Sequence, residues 1–294
     1  MDRIFENKQV RRLFFIIFGL TLLLYVVIRL WVGDSPTAKT FIDLADKFAM
    51  SLAVSVFLGA FLFYIAPKVL QSRQLDGVPA GELASLFKSE IEKSRSWTFK
   101  GTTGRYVRSQ VIPRFLERTQ QQRQPLSVTL ILLDVTSNVA CEKYADYRNS
   151  TETGAREWTS GRVKQEVCAT LLSAMAAKNS FLRIEVALSS TFSILRADIS
   201  DSKVILTKED PSSSALVCDH GNRFYDYFVL DARMAESQAR RITFPETRVD
   251  LATLTTREAR ETLQDMGLVT AQESEDSVSS ILQIARQRRN PYPG

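Results

Sequence analysis

The sequence predicts an α/β fold in which two N-terminal transmembrane helices precede a layered α/β sandwich. Residues 13–32 and 48–66 form two blocks of about twenty mostly apolar residues, enough for a helix to cross the roughly 30 Å hydrocarbon layer of a bilayer. After residue 81, short strand-like runs alternate with segments of helical period, which favours a layered sandwich over a helical bundle. These patterns divide the 294 residues into an anchor (1–70), a linker (71–80), an α/β domain (81–244) and a C-terminal helical extension (245–294).

The charges that flank the two apolar blocks predict their orientation. Basic residues precede the first block and follow the second, whereas the segment between the blocks carries more aspartates than lysines. The positive-inside rule then places both termini and the α/β domain in the cytosol. The formal net charge of +5 is modest, and several basic residues sit beside the blocks, so charge alone argues weakly for nucleic-acid binding. Three cysteines without a CxxC pair fit a reducing compartment and predict no disulfide framework.

A row of small residues gives the second apolar block a possible contact surface. Ser51, Ser55 and Gly59 recur every four residues and therefore lie on one face of a helix. Small residues at this spacing let two helix backbones approach closely in lipid. Two readings stay open here, packing on the first block of the same chain and self-association of several chains.

The periodicity of apolar residues predicts each element of the α/β domain in turn. Leu83, Leu86 and Phe87 keep a helical period, and residues 126–134 are a leucine-rich and β-branched run typical of a buried strand. Residues 200–202 separate two strand patterns, which is a hairpin signal. The predicted strands are 96–100, 126–134, 182–188, 192–199, 203–207 and 215–218. The predicted helices are 81–94, 105–122, 138–148, 162–178 and 222–241, with later helices from Thr255 or Thr256 and over 277–289.

The segment after the first strand is a candidate site for a phosphate or a nucleotide. A strand that feeds through Gly101 and Gly104 into a helix presents free backbone N–H groups at the helix start. The candidate ligand-binding residues are Lys100, Thr102, Thr103, Gly104, Arg105 and Arg108. The spacing matches neither a P-loop nor a GxGxxG fingerprint, so a tight turn with solvated cations is the alternative.

Asp134 is a second candidate, because it stands where a predicted strand ends. Ligands of open α/β sheets gather at the carboxyl edge of the strands. A helix-capping or other structural role is the alternative for this aspartate.

The predicted hairpin carries part of a known catalytic signature. Arg196 and Asp201 stand at the lysine and aspartate positions of the motif H-x-K-x4-D, and Ile194 occupies the histidine position. With the order of elements over residues 83–241, this stretch resembles one half of a phospholipase-D-like fold. An aliphatic side chain has no lone pair with which to attack phosphorus, so the resemblance implies a degenerate motif without catalytic residues.

Other chemistry is not indicated by the sequence. His220 is the only histidine, and no serine nucleophile with an oxyanion-hole context accompanies it. No spacing of acidic residues suggests a metal site, so we predict no cofactor.

The overall layout resembles the two-transmembrane effectors of bacterial anti-phage systems, in particular the effector encoded with a retron's reverse transcriptase. That resemblance implies a two-pass inner-membrane toxin, held inactive by a reverse transcriptase and its RNA–DNA hybrid. Phage infection would release it to disrupt the bilayer by self-association, an abortive infection.

Two alternatives from other classes stay open. One is a phosphodiester-cleaving enzyme with a rebuilt site near Arg105, Asp134, Arg196 and Asp201. The other is a nucleotide-sensing module in which residues 101–108 bind a second messenger.

Overall fold

The computed structural model describes residues 75–151, 157–210, 212–246 and 249–287, together with scattered helical residues between 16 and 58. The chain divides into two compact units, Met1–Gln74 and Leu75–Gly294. The fold below is that of the second unit.

The prediction of two transmembrane helices is not supported by the structure. Among the described residues, no helix has both the length and the apolar character needed to cross a bilayer. The predicted fold class is corrected on this point, and so is the predicted two-pass location in the inner membrane. Most of residues 13–66 lie outside the described part of the chain.

The second unit is an α/β structure built on an eight-stranded mixed sheet. Its strands are β1 (Asp76–Val78), β2 (Ser96–Lys100), β3 (Leu126–Leu133), β4 (Leu182–Ser189), β5 (Arg196–Ser200), β6 (Lys203–Thr207), β7 (Ala215–Asp219) and β8 (Arg240–Ile242). Its helices are α1 (Ala80–Lys93), α2 (Ile112–Gln122, preceded by a π-helical turn Val107–Val111), α3 (Asn138–Thr151), α4 (Ser160–Ala177), α5 (Arg223–Gln238), α6 (Thr256–Asp265) and α7 (Glu275–Arg286).

The strand order is β1-β7-β6-β5-β2-β3-β4-β8. Strands β2, β3 and β4 are parallel neighbours, and the other pairs are antiparallel. The carboxyl ends of β2, β3 and β4 therefore meet at one edge of the sheet, which we call the carboxyl edge.

The connection from β4 to β5 crosses this carboxyl edge. Because β2 and β3 lie between β4 and β5 in the sheet, residues 190–195 must pass over their ends. The predicted strand over 192–199 is therefore wrong at its start: residues 192–195 belong to the crossing loop, and β5 begins at Arg196. The apolar run there covers the sheet edge and does not pair within it.

Helices cover both faces of the sheet. The main core holds buried residues from α1, α2, α3, α4, α6 and α7, so both helices of the predicted C-terminal extension belong to it. A smaller cluster on the other face includes Ile199 and Val204 of the sheet and is covered by Tyr225 and Ala232 of α5.

Local signals explain several helix and strand boundaries. Thr255 and Glu258 form a reciprocal capping box at the start of α6, which confirms the predicted start. Asn222 caps α5 by accepting a hydrogen bond from the Phe224 N–H at 2.9 Å. Strands β2 and β6 have the bounds predicted from the sequence.

Candidate ligand site at the carboxyl edge

A pocket of about 380 Å³ opens at the carboxyl edge, on the face of the sheet covered by α5. Its walls come from the end of β2, the end of β4 with the crossing loop, and the second half of α5. It is lined by Lys100, Gly101, Ile131, Ser189, Ser190, Thr191, Phe192, Ser193, Asp231, Met234, Ala235 and Gln238.

Lys100 supplies the positive charge of this pocket. Its Nζ lies 2.6 Å from the Asp231 carboxylate of α5, and the lysine and aspartate side chains are 24% and 43% exposed. An ion pair this open to water is weak, so another anion can compete with Asp231 for the lysine.

Hydroxyl groups and an aromatic ring form the opposite wall. The Ser189 hydroxyl donates to the Thr191 carbonyl at 2.9 Å, and this bond folds the loop back on itself. Phe192 is half-buried, with its ring centre 5.4 Å from that of Tyr144 in α3. The pocket thus combines one cation, several hydroxyls and an apolar ring within a small volume.

The glycine turn predicted to bind an anion is buried in the main core. Thr102, Thr103 and Gly104 are all inaccessible, and the Thr103 carbonyl accepts a hydrogen bond from the Thr170 hydroxyl at 2.7 Å. Arg108 is buried as well and forms a 2.7 Å ion pair with Glu166. Of the predicted ligand residues at this turn, Lys100 and Arg105 keep exposed surface.

Lys100 and Arg105 lie in different surroundings. Lys100 and Gly101 line the pocket on the α5 side, whereas Arg105 points toward α4, with its Nε 3.7 Å from Glu166. The predicted anion site is therefore divided, and Lys100 is its one ligand residue that lines the pocket.

Gly104 holds the turn against α4, and replacing it should reveal this packing. Its φ of +66° is strained for any other residue, and a Cβ there would lie 2.9 Å from the Thr170 methyl group. We expect Gly104→Ala to lower the free energy of unfolding by about 2–4 kcal/mol in urea titration. Gly221 also has a positive φ, of +89°, but open space around it, so Gly221→Ala should cost about 1 kcal/mol. Equal losses for the two variants would contradict this account of Gly104.

Asp134 has a structural role. It accepts hydrogen bonds from the Thr136 N–H and hydroxyl and from Arg240 at 3.0 and 3.2 Å. Burial alone would raise the pKa of Asp134, but the bonds from Arg240 and Thr136 outweigh it and hold the pKa below its usual range. Its carboxylate anchors β8 to the end of β3.

The residues of the degenerate motif do not come together. Ile194 is exposed in the crossing loop, and Arg196 starts β5 at the carboxyl edge. Asp201 follows the far end of β5, where it accepts from the backbone N–H groups of Arg95 and Ser96. Arg196 is the first residue of β5 and Asp201 follows its last, so the length of this strand, about 16 Å, lies between them.

Arg196 instead belongs to a buried ion cluster that sequence spacing did not indicate. Glu209 pairs with Arg148 of α3 and accepts from Arg196 at 3.5 Å. The Arg148 guanidinium lies 4.7 Å from the ring centre of Trp158, which the guanidinium groups of Arg105 and Arg162 also approach. Burial raises the pKa of Glu209, but the two partner arginines reverse the effect and keep it below its usual range.

Comparison with known proteins adds no family. The sequence matches no protein-family model and no curated protein. The geometry of the described residues therefore carries the functional interpretation.

The remaining candidate groups lie away from the pocket. The three cysteines are buried, and burial raises the pKa values of Cys141 and Cys218 to about 11 and of Cys168 to about 12. His220 follows β7 at the opposite end of the sheet, where its ring makes an edge contact with Tyr225. Within the described residues, no cluster of histidine, cysteine, aspartate and glutamate could hold a metal ion.

The predicted self-association row is described in part. Ser51 and Ser55 are helical and exposed, and the Ser55 hydroxyl donates to the Ser51 carbonyl at 2.9 Å. Gly59 lies outside the described residues.

Proposed function

We propose that the α/β unit is a binding module for a small phosphate-bearing ligand of nucleotide size, and that it senses this ligand without converting it. The observation that carries the proposal is the pocket at the carboxyl edge with Lys100 in its wall. Its volume of about 380 Å³ falls within the roughly 300–1,000 Å³ of small-molecule sites.

The position and lining of the pocket support a nucleotide over a purely apolar ligand. Open α/β sheets bind ligands at the carboxyl edge of their parallel strands, where this pocket lies. Lys100 and the hydroxyls of the crossing loop can contact phosphate oxygens. Met234 offers a polarisable thioether for a base, and Phe192 lines the same pocket with its ring packed on Tyr144.

The Asp231 carboxylate competes with a bound phosphate for Lys100. A bound phosphate must take over Lys100 while the Asp231 carboxylate turns toward water, which its exposure permits. Lys100 and Asp231 should therefore affect affinity in opposite directions.

We expect Lys100→Ala to weaken nucleotide binding about ten-fold to a hundred-fold, because it removes a charge-assisted contact. Asp231→Asn should strengthen binding several-fold by removing the competing carboxylate. Isothermal titration of the full chain with mononucleotides and cyclic nucleotides measures both effects. Lys203→Ala is a matched control, because Lys203 also pairs with an aspartate and is 26% exposed, but it lies outside the pocket.

A nucleoside tests the contacts of the base, and inorganic phosphate tests the contact with Lys100. Each should bind more weakly than the nucleotide if the contacts to the base and to the phosphate act together. If both Lys100→Ala and Asp231→Asn lower the affinity, Asp231 does not compete with the phosphate for Lys100. If Lys100→Ala binds the nucleotide as tightly as the wild type, the ligand does not bind at this pocket.

The anti-phage effector and its reverse-transcriptase partner stay predictions. Membrane disruption is not part of the proposed function, because it depended on the transmembrane helices corrected above. A nucleotide sensor is compatible with many partner proteins, and the binding experiment does not depend on their identity.

A further inference from the structure

The outer face of α5 carries an uncovered apolar row. Tyr227, Leu230 and Met234 are 62%, 56% and 53% exposed. Their spacing of three and then four residues aligns them along one side of a helix, as in the contact row of a coiled coil. The inner face of α5 is already occupied, because Tyr225 and Ala232 are buried against the sheet. This helix is therefore apolar on two opposite sides.

Charges of opposite sign flank this row. Asp226 and Arg233 are both exposed and lie seven residues apart, so they occupy the same flank of α5 two turns from each other. Neither has an ion-pair partner among the described residues of its own chain. Two free charges of opposite sign beside an apolar row are suited to pairing across an interface.

We propose that α5 pairs with α5 of a second copy of this chain, antiparallel and about a two-fold axis. In that arrangement Asp226 faces Arg233 of the partner subunit, and symmetry forms the same pair a second time. The centre of this register falls between Val229 and Leu230, so the apolar row straddles the axis. Asp226 and Arg233 lie at equal distances from this centre, so each copy presents one acidic and one basic residue along this flank.

A second copy fits this face better than an unrelated helix for that reason. The charges and the apolar row are complementary only when the partner runs in the opposite direction and carries the same pattern. The 16 residues of α5 give a contact about 24 Å long. Asp226 and Arg233 do not line the ligand pocket, so reversing their charges leaves the pocket lining unchanged. Met234 belongs both to the apolar row and to the pocket wall.

Charge reversal on α5 tests the pairing. Sedimentation equilibrium of the full chain should show a dimer at micromolar concentrations. Asp226→Arg or Arg233→Asp alone should weaken dimerisation at least ten-fold, because each places like charges opposite one another. The double variant exchanges the two charges and should restore the dimerisation constant to within about three-fold of the wild type. Asp265→Arg on α6 is the control, since it makes the same charge change on another exposed surface.

The other outcomes overturn the proposal. A wild-type chain that stays monomeric at 100 µM excludes the second copy, whichever other protein covers the face. An oligomer that either single reversal leaves unchanged associates through another surface. A double variant that remains as weak as the singles shows that Asp226 and Arg233 do not face each other. Circular dichroism of each variant confirms that the changes act on association and not on folding.

Discussion

The Glu209→Gln variant is expected to lose about 3–5 kcal/mol of unfolding free energy. Glu209 is the shared anion of Arg148 and Arg196, and the Arg148 side chain is only 3% exposed. Removing the negative charge leaves a buried guanidinium without its counter-ion, whereas the amide keeps the shape of the side chain. Urea titration of the full chain measures the loss.

An exposed ion pair provides the control for this prediction. Glu185 pairs with Arg183 on the surface of β4, where Glu185→Gln should change stability by less than about 0.5 kcal/mol. The low pKa of Glu209 also adds a pH effect. Its contribution is present above the unfolded pKa of about 4.5 and is lost as the pH falls through the folded value. A loss below 1 kcal/mol at neutral pH would show that the cluster is not held by charge.

Asp198→Asn is expected to stabilise the protein, and the gain should grow with pH. Burial raises the pKa of Asp198 to about 7, and the Trp97 indole N–H donates a hydrogen bond to its carboxylate at 3.1 Å. An asparagine oxygen can accept the same bond without having to ionise. The raised pKa means that Asp198 ionises less readily in the folded protein than in the unfolded chain. The contribution of Asp198 to the free energy of unfolding of the wild type therefore falls as the pH rises from about 4 to 7.

The gain should therefore be smallest near pH 4, increase to about 4 kcal/mol at pH 7 and stay level above it. Thermal unfolding over this pH range measures it. The matching control is Asp265→Asn, an exposed carboxylate whose replacement should give a flat difference. A stability gain of Asp198→Asn that is the same at pH 4 and pH 8 would contradict a buried Asp198 with a raised pKa.

Strong local patterns predicted much of the α/β unit. The alternation in 96–100 and the Thr255–Glu258 capping pair determine local structure by themselves, so β2 and the start of α6 were predicted correctly. The three-residue edge strands β1 and β8 were missed, because Asp76–Val78 and Arg240–Ile242 have too few residues to show a period. Tertiary pairing with β7 and β4 makes them strands.

The loop at 192–195 shows the limit of predicting structure from hydrophobicity alone. Phe192 to Leu195 has the composition of a strand, but the chain needs these residues to cross the sheet edge. Composition indicates burial and does not by itself specify what covers the residue.

The candidate site could be predicted in part. Lys100 was identified because it is a cation directly before the glycine turn, which is a local property. Its partners were not, since Asp231 lies 131 residues away in sequence and the crossing loop is placed by strand order. The cluster around Glu209 was missed because its members are also far apart in sequence. The one sequence signal was a tryptophan, Trp158, with arginines nearby.

A crystal structure of the full chain with a bound mononucleotide tests the central claim most directly. The proposed function predicts the phosphate within hydrogen-bond distance of Lys100 Nζ, with the Asp231 carboxylate turned toward solvent. A nucleotide found instead in either of two larger grooves of about 640 Å³ would contradict it; one lies between Arg123, Lys178 and Phe244, and the other between His220, Asp226 and Arg233.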